Sequence, residues 1–341
     1  MNAARHPDER LLVGGVEVAR YVVDPVLHPR HGPRPYLHPV RTLDGTPVTD
    51  ALPADHVWHL GASLAVPDVN GSNLWGGRTY VRDAGYTWRD DHGRIVHTGW
   101  ESRAPDRLAH RLEWRDRAGQ VLLTERRRLA AVALPGGAWR LDVDYTLTAP
   151  ADRDVTLGSP ATNGRPGGAG YGGFFWRAAS AGPTTVASGG VGSGGVGSGG
   201  GAGSGGVGSG GVGSGGGAGS GGVGSGGVGS GGGAGSGGAG SGGAAGVVEG
   251  EEAVNGTAGP WLALRGTGPG GAAYTLVFTG LGDGDRWFVR TGRYPGVCVA
   301  FAFDRPALIP AGTDRRGRHA VIVAGGHPDP RDLALCAPDL P

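Results

Sequence analysis

The stretch WRLDVDYTLT, residues 139–148, alternates without a break. Trp139, Leu141, Val143, Tyr145 and Leu147 fall on one side, and Arg140, Asp142, Asp144, Thr146 and Thr148 on the other. A period of two belongs to a strand with one buried and one wet face. Residues 107–115 repeat the pattern, with Leu108, Leu112 and Trp114 set against Arg107, Arg111, Glu113 and Arg115. Further strands are predicted over Val16–Val23, Arg94–Arg103, Val121–Val132, Gly172–Ala179, Trp261–Arg265, Tyr274–Thr279, Trp287–Arg290 and His319–Ala324. Turn chemistry separates them at Asp44-Gly45, His92-Gly93, Ala118-Gly119 and Pro135-Gly136-Gly137. Many short strands and no sustained helical period predict an all-β protein, a large antiparallel β-sandwich.

One region departs from this pattern. From Val191 to Gly246 only Val, Ala, Gly and Ser occur, and VGSGGVGSGGGAGSGG runs three times, from Val191, Val207 and Val223. Glycine is the costliest residue to order, and little apolar surface is present to offset that cost. The expectation is a disordered Gly/Ser-rich insert over 188–246, an enlarged loop within a single β-sandwich domain spanning 1–341. Such a chain has an r.m.s. reach of about 40 Å.

Basic and acidic residues nearly balance, 31 against 30, so the formal net charge is +1 and gives no global reason to expect nucleic acid. No apolar run approaches membrane-spanning length, and the N-terminus has no signal-peptide pattern. Cys298 and Cys336 form no metal motif. A cytoplasmic location is the expectation. Phosphate loops, dinucleotide fingerprints and nucleophile elbows are missing outside the glycine repeats.

The densest chemistry lies between Tyr36 and Arg82. It reads PYLHPVRTLDG, DHVWHLG and PDVNGSNLWGG. His38, His56 and His59 are candidate general bases, with Asp55 placed to orient an imidazole. Arg41, Asn70, Trp75, His97 and Arg177 are candidate substrate contacts. His56 and His59 are three apart and would share a face on a helix but not on a strand. A divalent metal held by His38, His56 and His59, with His97 as another possible ligand, is an open alternative, although the spacing is not that of HExxH. The bland reading of each histidine is a hydrogen-bonded core residue, with Trp58 as the anchor. Glu125 and Arg127 share one face of a strand and read as a structural ion pair.

The series HPVRTLDG, DHVWHLG, NLWGG, GYGGFFWR, PWLAL and WFVR, in that order, resembles a bacterial family of unknown function often labelled "PmoA family" or "methane oxygenase PmoA". The resemblance covers nearly the whole chain except the insert. Where many members read DHPHHRG, this chain has DHVWHLG, keeping Asp55, His56 and His59 but not the middle histidine or the arginine. The resemblance implies a soluble β-sandwich similar to the mutarotase-like supersandwich, and a place in carbohydrate metabolism. The expected function is therefore binding of, or proton-transfer chemistry on, a sugar or sugar-derived small molecule. Isomerisation, epimerisation and elimination are the matching reactions. The alternatives are a metal-dependent oxidoreductase or hydrolase, and a non-catalytic sugar-binding or interaction module. Neither nucleic acid nor membrane is an expected partner.

Overall fold

The computed structural model describes residues 6–190 and 246–337. The strand Trp139–Thr148 has the alternation expected of it: its five apolar side chains are buried and the intervening polar ones reach the surface. Burying each large apolar side chain contributes about 2 kcal/mol. Those side chains help fill the space between two antiparallel sheets, and the protein is an all-β sandwich.

The larger sheet has nine strands. Their order is Val247–Glu249, Thr185–Gly189, Trp261–Thr267, Ala273–Thr279, Asp314–Gly325, Trp139–Thr148, Val121–Ala133, Arg107–Arg115 and Arg94–Ala104. The smaller sheet has seven, in the order Glu9–Val13, Val16–Val22, Tyr36–Val40, Ala62–Ala65, Gly173–Arg177, Gly296–Ala300 and Arg286–Arg290. Among the described residues no helix is long and apolar enough to cross a membrane.

Three apolar layers hold this arrangement. The main core lies between the sheets and takes Trp114, Trp139, Trp176 and Trp287, none of them exposed. A second layer covers the outer face of the smaller sheet, where Trp75, Phe175, Phe288 and Cys298 pack with Trp58, Tyr171 and Tyr294. A third joins Ala263, Val277 and Ile322 of the larger sheet to Leu333 of the short helix Pro330–Ala334. The smaller sheet is therefore covered on both faces. That explains why Ala62–Ala65 and Gly296–Ala300 are buried at every position and show no alternation.

The boundary of the insert differs from expectation. Ser188 and Gly189 belong to the strand Thr185–Gly189, which pairs with Val247–Glu249 in a hairpin-like register. Gly190 N–H donates to the Gly246 carbonyl, so the chain leaves and re-enters at neighbouring points. Both flanks build the same nine-stranded sheet. The disorder expected of the repeat falls on residues 191–245, which lie outside the described residues.

Candidate functional site

The segment Asp55–His59 is a pair of tight turns. His56 N–H donates to the Pro53 carbonyl at 3.0 Å, and His59 N–H donates to the His56 carbonyl at 2.8 Å. The second turn brings the two imidazoles onto one side, stacked with centroids 4.7 Å apart and planes 17° apart. Close glycines make room for these turns. A Cβ on Gly61 would stand 2.1 Å from the Leu37 carbonyl oxygen. One on Gly77 would stand 2.5 Å from the Trp58 ring. Arg34, fully buried, donates to the carbonyls of Gly32, Trp58 and Trp75 and to Ser63 Oγ, tying three loops to the sheet. Burial pulls Arg34 down to about 9.

The two histidines have different environments. His56 Nδ1 donates to Asp55 Oδ2 at 2.8 Å while its side chain remains 31 % exposed. A carboxylate can only accept, so Nδ1 carries the proton and the lone pair of neutral His56 resides on Nε2. No hydrogen-bond partner engages Nε2 among the described residues. Burial works to raise the Asp55 carboxyl, but the His56 hydrogen bond and the charges of Arg177 and His56 outweigh it and hold it below its usual value. His59 is 1 % exposed, and Arg177 Nη1 donates to its Nδ1 at 3.3 Å. Burial, then the charges of His56, Arg177 and Arg34, keep His59 neutral well below its ordinary range. Its own proton therefore sits on Nε2.

Arg177 comes from the end of the strand Gly173–Arg177 and joins the cluster from 118 residues away. Its guanidinium lies 3.5 Å from Asp55, 3.8 Å from Asp50 and 4.7 Å from the Tyr294 ring centre. Its buried Nε has no hydrogen-bond partner. Tyr294, in the turn before Gly296–Ala300, packs against both imidazoles, at 5.1 Å from His56 and 4.7 Å from His59. Burial pushes its phenol up to about 12. Trp58 stands 5.3 Å from His56 and 6.4 Å from Trp88. Trp88 is 44 % exposed, and Arg30 and Arg78 lie over its ring.

The other candidates divide clearly. Trp75 is buried beneath the cluster, against His59 and Phe175. His38 bonds Thr49 Oγ1 through Nδ1, and burial lowers it despite the nearby Asp50 charge. It faces the same Asp50 as Arg177 but does not join the imidazole stack. Arg41 donates to the Gly45 carbonyl within its own turn. Asn70 staples its turn to another strand through the Asp154 carbonyl and Thr156 N–H. These bonds spend both ends of the Asn70 amide on structure. His97 lies between the sheets, bonded Nδ1 to Nδ1 with His110 at 2.9 Å. Among the described residues no three His, Cys, Asp or Glu side chains are grouped to hold a metal. His38, His56, His59 and His97 thus have separate partners, and a guanidinium occupies His59 Nδ1.

Tyr294, Asp50, Arg34 and Trp88 were not legible as site residues. Each sits alone in a turn or loop with no repeating pattern, and only the fold brings them near the stacked pair.

No curated protein and no solved structure matches the chain. One family model does, over residues 9–337, and its description names neither an activity nor a PmoA label. By that match, which spans nearly its whole length, the chain belongs to DUF6807, a family of unknown function.

Proposed function

We propose that the Asp55–His56 pair is the base of a small-molecule site on the outer face of the smaller sheet, and that its ligand is a sugar or sugar-derived metabolite. The observation carrying this reading is the His56 hydrogen bond to Asp55 in a ring that remains part-exposed. A carboxylate on Nδ1 fixes the tautomer and stabilises the imidazolium formed when Nε2 takes a proton. Neutral His59 beneath it leaves room for that charge, and the Arg177 guanidinium favours a developing anion nearby. Trp58 and Trp88 offer faces on which the C–H side of a pyranose ring stacks. Isomerisation, epimerisation and elimination all begin with such a proton removal.

The test is proton–deuterium exchange of aldoses, ketoses and uronates in D2O, followed by NMR, with saturation-transfer measurements of binding. Exchange at one carbon, lowered about a hundredfold or more by His56→Gln and Asp55→Asn with binding retained, is the expected result. Exchange unaffected by either variant would end the catalytic reading. A second reading, a binding module without chemistry, draws on the exposed Trp88 between Arg30 and Arg78. It requires sugar binding that Trp88→Ala abolishes, with no exchange in the native protein.

A further inference from the structure

The larger sheet turns a different chemistry outward. On its outer face Arg126 and Arg128 project from the strand Val121–Ala133, and Arg316 and Arg318 from Asp314–Gly325, with Trp139–Thr148 between them. The register is direct: Arg126, Thr146 and Arg316 form one cross-strand row, and Arg128, Asp144 and Arg318 the next. Residues two apart on a strand are about 6.7 Å apart, and two strand spacings span about 9.5 Å. The four guanidinium stems therefore start from the corners of a rectangle on a rigid sheet.

This face is not flat. A groove of about 990 Å³ runs over it, walled by Pro260, Trp261, Leu281 and Leu335, with Arg331 at one side. A second concavity of about 480 Å³, reaching Arg107 and Glu101, shares Arg126, Arg128 and Asp144 with the first. Together they make an extended channel in which Arg107, Arg126, Arg128, Arg316, Arg318 and Arg331 outnumber Glu101 and Asp144. Part of the charge is committed: Arg126 pairs with Glu101, Arg318 with Asp144, and Arg316 with Asp314. Arg107 pairs with Asp106, and Arg128 feels the charge of Asp144, its cross-strand neighbour, without an ion pair among the described residues.

We propose that this channel binds a linear acidic oligosaccharide, its carboxylates or sulfates taken by the arginine rows and its ring faces lying against Trp261 and Pro260. Fixed arginines two strand spacings apart suit an anion that repeats its charge along a stiff chain, because guanidinium forks pair bidentately with carboxylate and sulfate. A single-stranded nucleic acid would need a series of aromatic stacking surfaces, and the channel lining supplies one indole. A peptide adding as a strand would need a free sheet edge, whereas the three strands beneath the channel are paired on both sides. The channel is separate from the histidine site, so this proposal stands independently of the base assigned to His56.

Titration of the full chain with tetragalacturonate tests it, with octathymidylate as competitor. Binding at low ionic strength should weaken at least about tenfold when salt is raised roughly tenfold. Arg128→Ala with Arg318→Ala should cost about tenfold or more, while the paired Lys variants, which keep the charge but not the fork, lose less. His56→Gln should leave the affinity unchanged. Circular dichroism and melting of the Ala variant separate lost binding from lost fold. The absence of tetragalacturonate binding would overturn the proposal, as would equal affinity in a folded double-Ala variant. Displacement by octathymidylate at equal or lower concentration would overturn the glycan assignment in favour of nucleic acid. Loss of binding in His56→Gln would move the ligand to the other site.

Discussion

Two pairs of stacked imidazoles occupy this molecule, one inside the sandwich and one outside it. His97 and His110 lie between the sheets with ring centres 5.1 Å apart. His56 and His59 lie on the outer face of the smaller sheet, 4.7 Å apart. The rings are arranged alike, yet their surroundings assign them different work. His110 Nε2 bonds the Tyr21 hydroxyl, which also accepts from Arg127, and Arg127 pairs with Glu125, the acceptor of Trp114 Nε1. Arg127 can only donate, so the chain of bonds has a direction: Arg127 to Tyr21, Tyr21 to His110, His110 to His97. The two bonds at Tyr21 join one sheet to the other. The His110–His97 bond joins neighbouring strands of the larger sheet, and His97 Nε2 is left buried without a hydrogen-bond partner among the described residues. The outer pair has a carboxylate on one nitrogen and no described partner on the next. Neither stacking nor an unpartnered nitrogen therefore marks a reactive histidine by itself; an uncommitted nitrogen on a part-exposed ring with an oriented tautomer does.

The largest expected effect strikes the inner pair. Arg127→Ala would leave the Glu125 carboxylate buried without its cation, at a cost of about 3–5 kcal/mol in urea unfolding. A loss under about 1 kcal/mol would show that solvent or a neighbour readily replaces the guanidinium, and the contrast between the pairs would fail.

Gly77→Ala tests the outer pair through its support. The added Cβ would meet the Trp58 ring at 2.5 Å, from a backbone φ of +72°. A destabilisation of about 1–3 kcal/mol is expected, with weakened ligand binding, since Trp58 packs against His56. A crystal structure of the variant with Trp58 undisturbed would refute this.

Acid acts next on the buried member of each pair, His110 inside and His59 outside, in the same direction. Burial, helped by the charges of Arg127 and His97, holds His110 down to about 2, against 6.5 when unfolded. Below pH 6.5 the unfolded chain takes up a proton that the folded chain refuses, so this contribution is complete above pH 6.5 and is lost as pH falls toward 2. His319, lowered to about 4 by burial, acts in the same direction between 6.5 and 4. Asp285, raised to about 6 by burial, opposes them between 6 and 3.8, where the folded state binds the proton more tightly. His110→Gln should remove about 1.4 kcal/mol per pH unit from the acid slope of stability, read by urea unfolding at several pH values. An unchanged slope would mean that His110 protonates without unfolding.

The smallest stability effect belongs to His56→Gln, within about 0.5 kcal/mol, because the ring is part-exposed. Its effect on exchange chemistry should be the largest of any in the molecule. A stability loss comparable with that of Arg127→Ala would make His56 a structural residue like His110.

Much of this was legible in the chain, and unevenly so. Alternation disclosed Trp139–Thr148, Arg107–Arg115 and Val121–Ala133, because the larger sheet keeps polar residues on its outer face between buried ones. Ala62–Ala65 and Gly296–Ala300 escaped, since burial on both faces erases the period of two. Asp55, His56 and His59 could be singled out because one pair of turns holds them all. The roles of Asn70 and His97 could not be read, because their partners Asp154, Thr156 and His110 come from other strands or turns.

By itself, then, the sequence determined an all-β sandwich, the place of the glycine-rich insertion and the Asp55–His56–His59 segment, each written in local period or local turn. Tertiary structure alone decided which histidines are spent and which are free. It carried Arg177 and Tyr294 to the outer pair, buried His97 and His110 with Tyr21 and Arg127, and aligned the arginine rows of the larger sheet. The reason is physical: a strand's period is set by its own residues, whereas a side chain's charge and hydrogen bonds are set by whichever distant strand packs against it.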